Sequence, residues 1–274
     1  MLSAINTLNF LLPVLYIMAF SAYLFVFLKK KELFPNIKRV FLFLALCFHI
    51  FYLLSRTIEF NHPPITNKFE IFTVLAFAIG FSYFLLELLT DIRGTGAFIL
   101  AFSVIFQIIS SAFIQNNYVV PEVLRDRSLG LHVFSALLGY SGFILSAVYG
   151  VLFLLLYKNI KKNNYGLIFE RLPNLEILEK MCFVSAVIGF FLLTIAIVIG
   201  IIWLPQAFPD YSYFDPKLIS TFLVWLIYGF GILSKLTANW YGRKFILFSL
   251  TGFAIAMLSL ITTHIFVKTF HSFY

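Results

Sequence analysis

Eight separate runs of apolar residues, at 5–28, 40–59, 70–89, 98–115, 131–157, 179–204, 219–239 and 246–270, constrain this chain more than any other feature. Each is about 20 residues, enough for a helix to cross a hydrocarbon core of about 30 Å. Lipid offers no hydrogen bonds to an exposed backbone, so a spanning segment must satisfy its own N–H and C=O groups. The expected fold class is therefore all-α, a polytopic membrane helix bundle of about eight transmembrane helices.

Composition agrees with lipid as the surrounding phase. Residues are 61% hydrophobic and 12% charged, and no soluble core of 274 residues could hide 36 Phe and 14 Tyr as well as the aliphatic side chains. The chain reads as a single transmembrane domain, 1–274, whose first partner is the lipid bilayer. The first run has no basic segment before it and no small-residue cleavage pattern after it, so it is expected to be a retained helix and not a signal peptide. Cys47 and Cys182 both lie in apolar runs without CxxC spacing, which argues against a disulfide scaffold, a redox dithiol or a covalent haem site. Both thiols read as core packing.

Charge gives the orientation. The loops after the first, third, fifth and seventh runs hold Lys29, Lys30, Lys31, Lys38, Arg39, Arg93, Lys158, Lys161, Lys162, Arg171, Lys180, Lys235, Arg243 and Lys244, 14 of the 20 basic residues. By the positive-inside rule these loops are cytoplasmic, and an even number of spans then puts both termini on the non-cytoplasmic side. The net charge of +8 is accounted for in this way. Nucleic acid is not an expected partner, because the basic loops lack an aromatic stacking pattern. On the other side lie Phe60 to Phe69, Asn116 to Gly130, Pro205 to Leu218 and the last four residues. Their Tyr118, Tyr211, Tyr213, Phe214, Phe273 and Tyr274 fit either an interfacial aromatic belt or a ligand platform.

Ionisable groups within or at the edge of a membrane are costly to place, which makes the five histidines the candidates for chemistry. His132 opens the fifth span and precedes Ser135, Gly139, Gly142, Ser146 and Gly150, a small-residue stripe suited to close helix contact. At 100° per residue it lies within about 60° of that stripe and points into the bundle, as a ligand or as a hydrogen-bonded packing residue. His264 and His271 share one face at the end of the eighth span, with His271 level with His132. Two neutral imidazoles at one depth could clamp a haem iron, although spacing alone favours unrelated roles. His49, near the middle of the second span, reads as a buried packing or hydrogen-bonding group, with ligation or proton relay as the alternatives. His62, before Pro63-Pro64, reads as a solvated loop residue. Glu70 and Glu87 read as ordinary helix-end residues. Arg125-Asp126-Arg127 reads as a solvated charge run, or as a holder of carboxylates. HExxH, GxSxG, Walker A and strand-linked GxGxxG patterns are absent, so hydrolase or nucleotide-driven chemistry has no support.

Several ordered fragments resemble one family. They are Arg171-Leu172-Pro173-Asn174-Leu175-Glu176 running through Ile188-Gly189-Phe190-Phe191 to Gly200-Ile201-Ile202-Trp203; Phe214-Asp215-Pro216-Lys217 before Trp225-Leu226-Ile227-Tyr228; Leu131-His132-Val133 with Gly139-Tyr140; Asn61-His62-Pro63-Pro64 through Glu70; and Phe270-His271-Ser272-Phe273. In order and spacing these resemble the CcsA/ResC-type cytochrome c assembly proteins, a CcsA-like family with HemX-like relatives, over about 60–274. The resemblance implies a multi-pass protein of the cell (inner) membrane that binds haem at its outer face. It implies axial ligation by His132 and His271 and a platform formed by Tyr213, Phe214 and Asp215. Its further implications are attachment of haem to apocytochrome c, a ResB/CcsB-like membrane subunit as partner, and a place in a system II type haem lyase complex. The large extracytoplasmic domain of such a partner is not present in this chain. Two departures stand out. The family's Trp-Ser-Trp-Asp is here Ser212-Tyr213-Phe214-Asp215, and a histidine late in its seventh span is here Leu233. The HemX-like relatives, linked to tetrapyrrole synthesis, imply the alternative of a membrane regulator or scaffold without ligation activity.

Overall fold

A computed structural model describes residues 1–29, 36–207, 212 and 214–265. Its helices are α1 (Leu2–Lys29), α2 (Ile37–Phe60), α3 (Lys68–Thr90), α4 (Gly96–Phe113), α5 (Arg127–Lys161), α6 (Leu167–Arg171), α7 (Leu175–Ala207), α8 (Pro216–Thr237) and α9 (Arg243–Ile265), with a 3-10 turn at Glu122–Arg125 before α5. All but the short α6 are long and apolar enough to cross a membrane, which gives the eight spans expected from the sequence. The protein is a multi-pass, all-α membrane bundle.

Local chemistry sets the helix ends. Asn67 accepts hydrogen bonds from the Phe69 and Glu70 amides at the start of α3, and Asp215 accepts one from the Lys217 amide before α8, where Pro216 fills the first turn. Asn61 and Asp91 turn left-handed at φ 56° and 49° to stop α2 and α3.

Helices α1 to α4 pack around one another, α5 packs with α7 and α9, and α3 meets α5 where the two groups join. Helix α5 is central: 72% of its most apolar window is buried, against 56% for the next helix. Its small-residue stripe accounts for this position. A Cβ on Gly142 would lie 2.7 Å from the Gly189 Cα, and one on Gly139 would lie 2.9 Å from the Leu193 N, so the α5 and α7 backbones meet without side chains between them. Further along, Ser146 bonds both Cys182 of α7 and Ser249 of α9, and Gly150 faces Leu250 of α9. Cys182 is core, as expected. Cys47 is instead exposed on the bundle's outer face, because α2 turns only one side toward its neighbours.

Buried charge joins the helices near both ends, and here the structure corrects the sequence reading of Glu70 and Glu87. Glu70 is fully buried, 2.7 Å from the Arg56 guanidinium, and also accepts from the Thr66 amide and hydroxyl. Arg56 in turn donates to the Asn116 side chain and the Gln115 carbonyl. Near the other end, buried Glu87 lies 3.5 Å from Lys38 and 3.6 Å from Arg39 and accepts from the Tyr23 hydroxyl, while Arg39 also pairs with Asp91. Desolvated carboxylates need such partners, so these are bolts between helices and not solvated helix ends. The Arg39 hydrogen bond holds the Asp91 carboxyl below the usual carboxylate range.

His49 is fully buried and both of its ring nitrogens are engaged. Thr73 donates its hydroxyl to the Gln107 side-chain oxygen at 2.9 Å, so it accepts from the His49 Nε2–H at 3.0 Å, and the His49 Nδ1 accepts from the Tyr16 hydroxyl at 2.9 Å. Gln107 continues to Ser111, whose carbonyl accepts from Asn9, which accepts from Tyr52. The hydrogen-bonding role of His49 accounts for its burial.

Candidate functional site

The loops after α2 and α4 and the end of α7 come together over the start of α5. Ile65, Leu124, Leu129 and Trp203 form a small core there, with Val133 packed against it. His62, expected as a solvated loop residue, is buried at 3% exposure, and its ring bonds the Pro63 and Asn117 carbonyls. The Pro63-Pro64 turn folds back on the bundle and Asn117 reaches over it, so the imidazole ties the two loops together. Gly130 sits against Pro63 in the same cap.

Arg125, Asp126 and Arg127 are exposed, which agrees with the solvated-run reading, and Asp126 caps α5 by accepting from the Ser128 amide at 2.6 Å. Desolvation alone raises its carboxyl, but hydrogen bonds from the Trp203 indole and the Ser128 and Leu129 amides outweigh it, and its pKa lies below the ordinary carboxylate value. Asp126 thus pins α7 to the start of α5.

In the second turn of α5, His132 lies on the seam with α7. Its Nδ1 is 2.7 Å from the Ala196 carbonyl oxygen. A carbonyl only accepts, so Nδ1 carries the proton and the neutral ring keeps its lone pair on Nε2. The ring rests against Gly200 of α7. On α7, Gly189, Leu193, Ala196, Gly200 and Trp203 repeat at alternating spacings of four and three, which puts them on one face, and this face is the one that meets α5. Lys217 lies in the first turn of α8, just past the end of α7.

Of the other expected site residues, Phe214 is 83% exposed and leaves an aromatic face free, whereas the buried Asp215 caps α8. Tyr213 and His271 lie outside the described residues, as does the side chain of His264. The structure thus brings His132, Trp203 and Lys217 to one end of the bundle. Ala196 and Gly200 were missed as site residues, although the α7 spacing was a readable signal for a face that meets another helix. Among the described residues no group of three or more His, Cys, Asp or Glu is arranged to hold a metal ion.

A pair of buried ion bolts, a glycine-rich seam and a histidine with one bonded nitrogen do not by themselves name a family. Similarity to known proteins supplies it. The chain is 26% identical over 239 residues to the cytochrome c biogenesis protein CcsA of Guillardia theta, covering 80% of this chain and 79% of that one. It is 24% identical over 242 residues to CcsA of Mesostigma viride, covering 80% and 79%. It is 29% identical over 136 residues to the protein HemX of Bacillus subtilis, covering 50% of this chain and 49% of that one. The family described as Cytochrome C assembly protein matches residues 6–271, so the likeness reaches well before residue 60, where the sequence fragments began it, and takes in α1 and α2. With eight spanning helices and a match over nearly its whole length, the chain belongs to the Cytochrome C assembly protein family.

Proposed function

We propose that this chain is a haem-handling subunit of cytochrome c biogenesis in the cell's inner membrane, presenting haem at the non-cytoplasmic face for attachment to apocytochrome c. The observation that carries the reading is the His132 ring, whose Nδ1–H is bonded to the Ala196 carbonyl and whose Nε2 is thereby left as the nitrogen able to ligate iron. Family membership points to the same group. His271 would be the second histidine to hold the iron, and Tyr213, Phe214 and Asp215 would belong to the platform. Among these, exposed Phe214 offers a ring face, and Asp215 acts through the α8 cap that positions Lys217. Lys217 suits a propionate by charge. Bound haem would supply the vinyl groups that apocytochrome thiols take up, and the protein residues hold and orient it. A ResB/CcsB-like membrane subunit completes the assembly on this reading.

The test is spectroscopic. The chain purified in detergent with added haem gives a Soret band whose position and redox response change in His132→Ala and His271→Ala variants. No band, or a band unaltered in the double variant, overturns axial ligation by this pair.

A second reading, a regulator or scaffold of tetrapyrrole synthesis without ligation activity, is favoured by the likeness to HemX, by Ser212 and Phe214 in place of the two loop tryptophans and by Leu233. A deletion strain separates the two. Lost c-type cytochromes support assembly, whereas intact cytochromes with altered tetrapyrrole precursors support regulation.

A further inference from the structure

The seam between α5 and α7 does more than pack two helices at the level of His132. Ala196 and Gly200 are one helical turn apart on α7, and the imidazole spans the pair: its Nδ1 meets the Ala196 oxygen at 2.7 Å while its Cε1 and Nδ1 lie where a side chain on Gly200 would begin. A Cβ on Gly200 would sit 2.9 Å from Cε1 and 3.0 Å from Nδ1, closer than packed atoms come. A side chain at position 200 would displace the ring from this position.

We infer that Gly200, with the Ala196 carbonyl, is a positioning seat for His132: it fixes the ring's tautomer and tilt, so that Nε2 alone is offered to the iron. The inference rests on the haem-ligand reading for its consequence, but the seat itself is a property of the chain without haem. A main-chain oxygen is a suitable partner for this task. It cannot be protonated, it cannot rotate away, and it is held by the α7 ladder, so the proton stays on Nδ1. A ligating imidazole that donates its other N–H to an oxygen is a stronger electron donor, which favours the ferric over the ferrous iron. Gly200 is a positioning residue, since it acts through His132 and makes no contact with the iron.

Three measurements on the full chain in detergent test this. In the haem-free protein labelled with 15N-histidine, the His132 signals, assigned by their loss in His132→Ala, report a protonated Nδ1 and a bare Nε2. Gly200→Ala moves them toward the tautomer mixture of an unseated ring. With haem added, Gly200→Ala weakens binding about 10-fold or more and raises the midpoint potential, as expected when the partner of a ligand histidine is lost. Gly229→Ala, on α8 against Phe190, leaves the His132 signals and the potential unchanged. A thermal double-mutant cycle guards against simple misfolding. The destabilisation caused by Gly200→Ala is largely absent in a His132→Ala background, because the clashing ring has gone.

Unchanged 15N signals in Gly200→Ala, or a Gly200→Ala destabilisation that persists fully without the His132 ring, overturn the seat. Failure of the wild-type chain to bind haem overturns the ligand reading instead and leaves the haem-free arms to decide the seat.

Discussion

At the residue scale, what matters most is the difference between polar groups that finish a bond inside the protein and one that does not. Glu70 and Arg56 are both almost fully buried and lie 2.7 Å apart, so removing one leaves the other desolvated and short of a partner. Glu70→Ala is expected to lower stability by about 3–5 kcal/mol. Glu59→Ala, which removes a 4.0 Å contact between partly exposed groups, should cost no more than about 1 kcal/mol. Thermal unfolding in detergent compares them, and equal effects would mean that Arg56 finds another anion when Glu70 is gone. The sequence carried a signal for this pair that helix-end placement hid: Arg56 and Glu70 are opposite charges on consecutive spans at the same depth, as are Lys38 and Glu87. His62 is the opposite case. Its burial depends on Asn117, 55 residues away in another loop, and no local pattern announces that.

At the element scale, the spans were legible because their length is set by the bilayer and their apolar character by lipid. Predicted and observed boundaries differ by a few residues at most sites, and α5 and α7 run past their apolar cores in polar turns such as Asn159-Ile160-Lys161. The small-residue face of α5 was legible too. Its division between neighbours was not, since one helix's pattern says which face is small and not which helices share it. The division predicts unequal tolerance. Gly142→Ala sets a Cβ against the Gly189 and Ser185 backbones, which cannot yield without parting the helices, and is expected to cost about 1–3 kcal/mol. Gly150→Ala meets only side chains, Leu250 at 3.3 Å and Ile246 at 3.6 Å, so the gain of about 1 kcal/mol in helix propensity should leave it near neutral or stabilising. Melting curves of the two variants give the comparison, and an equally mild Gly142→Ala would show that the seam relaxes.

For the whole molecule, the distribution of basic residues predicts an orientation that a labelling experiment can test. Val119, 93% exposed in the loop before α5, and Lys162, exposed just past α5, lie at opposite ends of the bundle. In a Cys47→Ser background, Val119→Cys is expected to react with a membrane-impermeant maleimide added to intact spheroplasts, and Lys162→Cys only after lysis. The reverse pattern would invert the topology and put His132 on the cytoplasmic side. The Tyr16–His49–Thr73–Gln107–Ser111 chain bears on how such a molecule is made. All of its members, with Asn9 and Tyr52, belong to the first four helices, so every hydrogen bond it needs is available once α4 has emerged from the ribosome. Released singly into lipid, α2 would carry a bare imidazole and α4 a bare amide, each costly there. Association during synthesis would remove that cost, and the first half of the chain would then stand as a finished platform in the membrane before the histidine of α5 has left the ribosome.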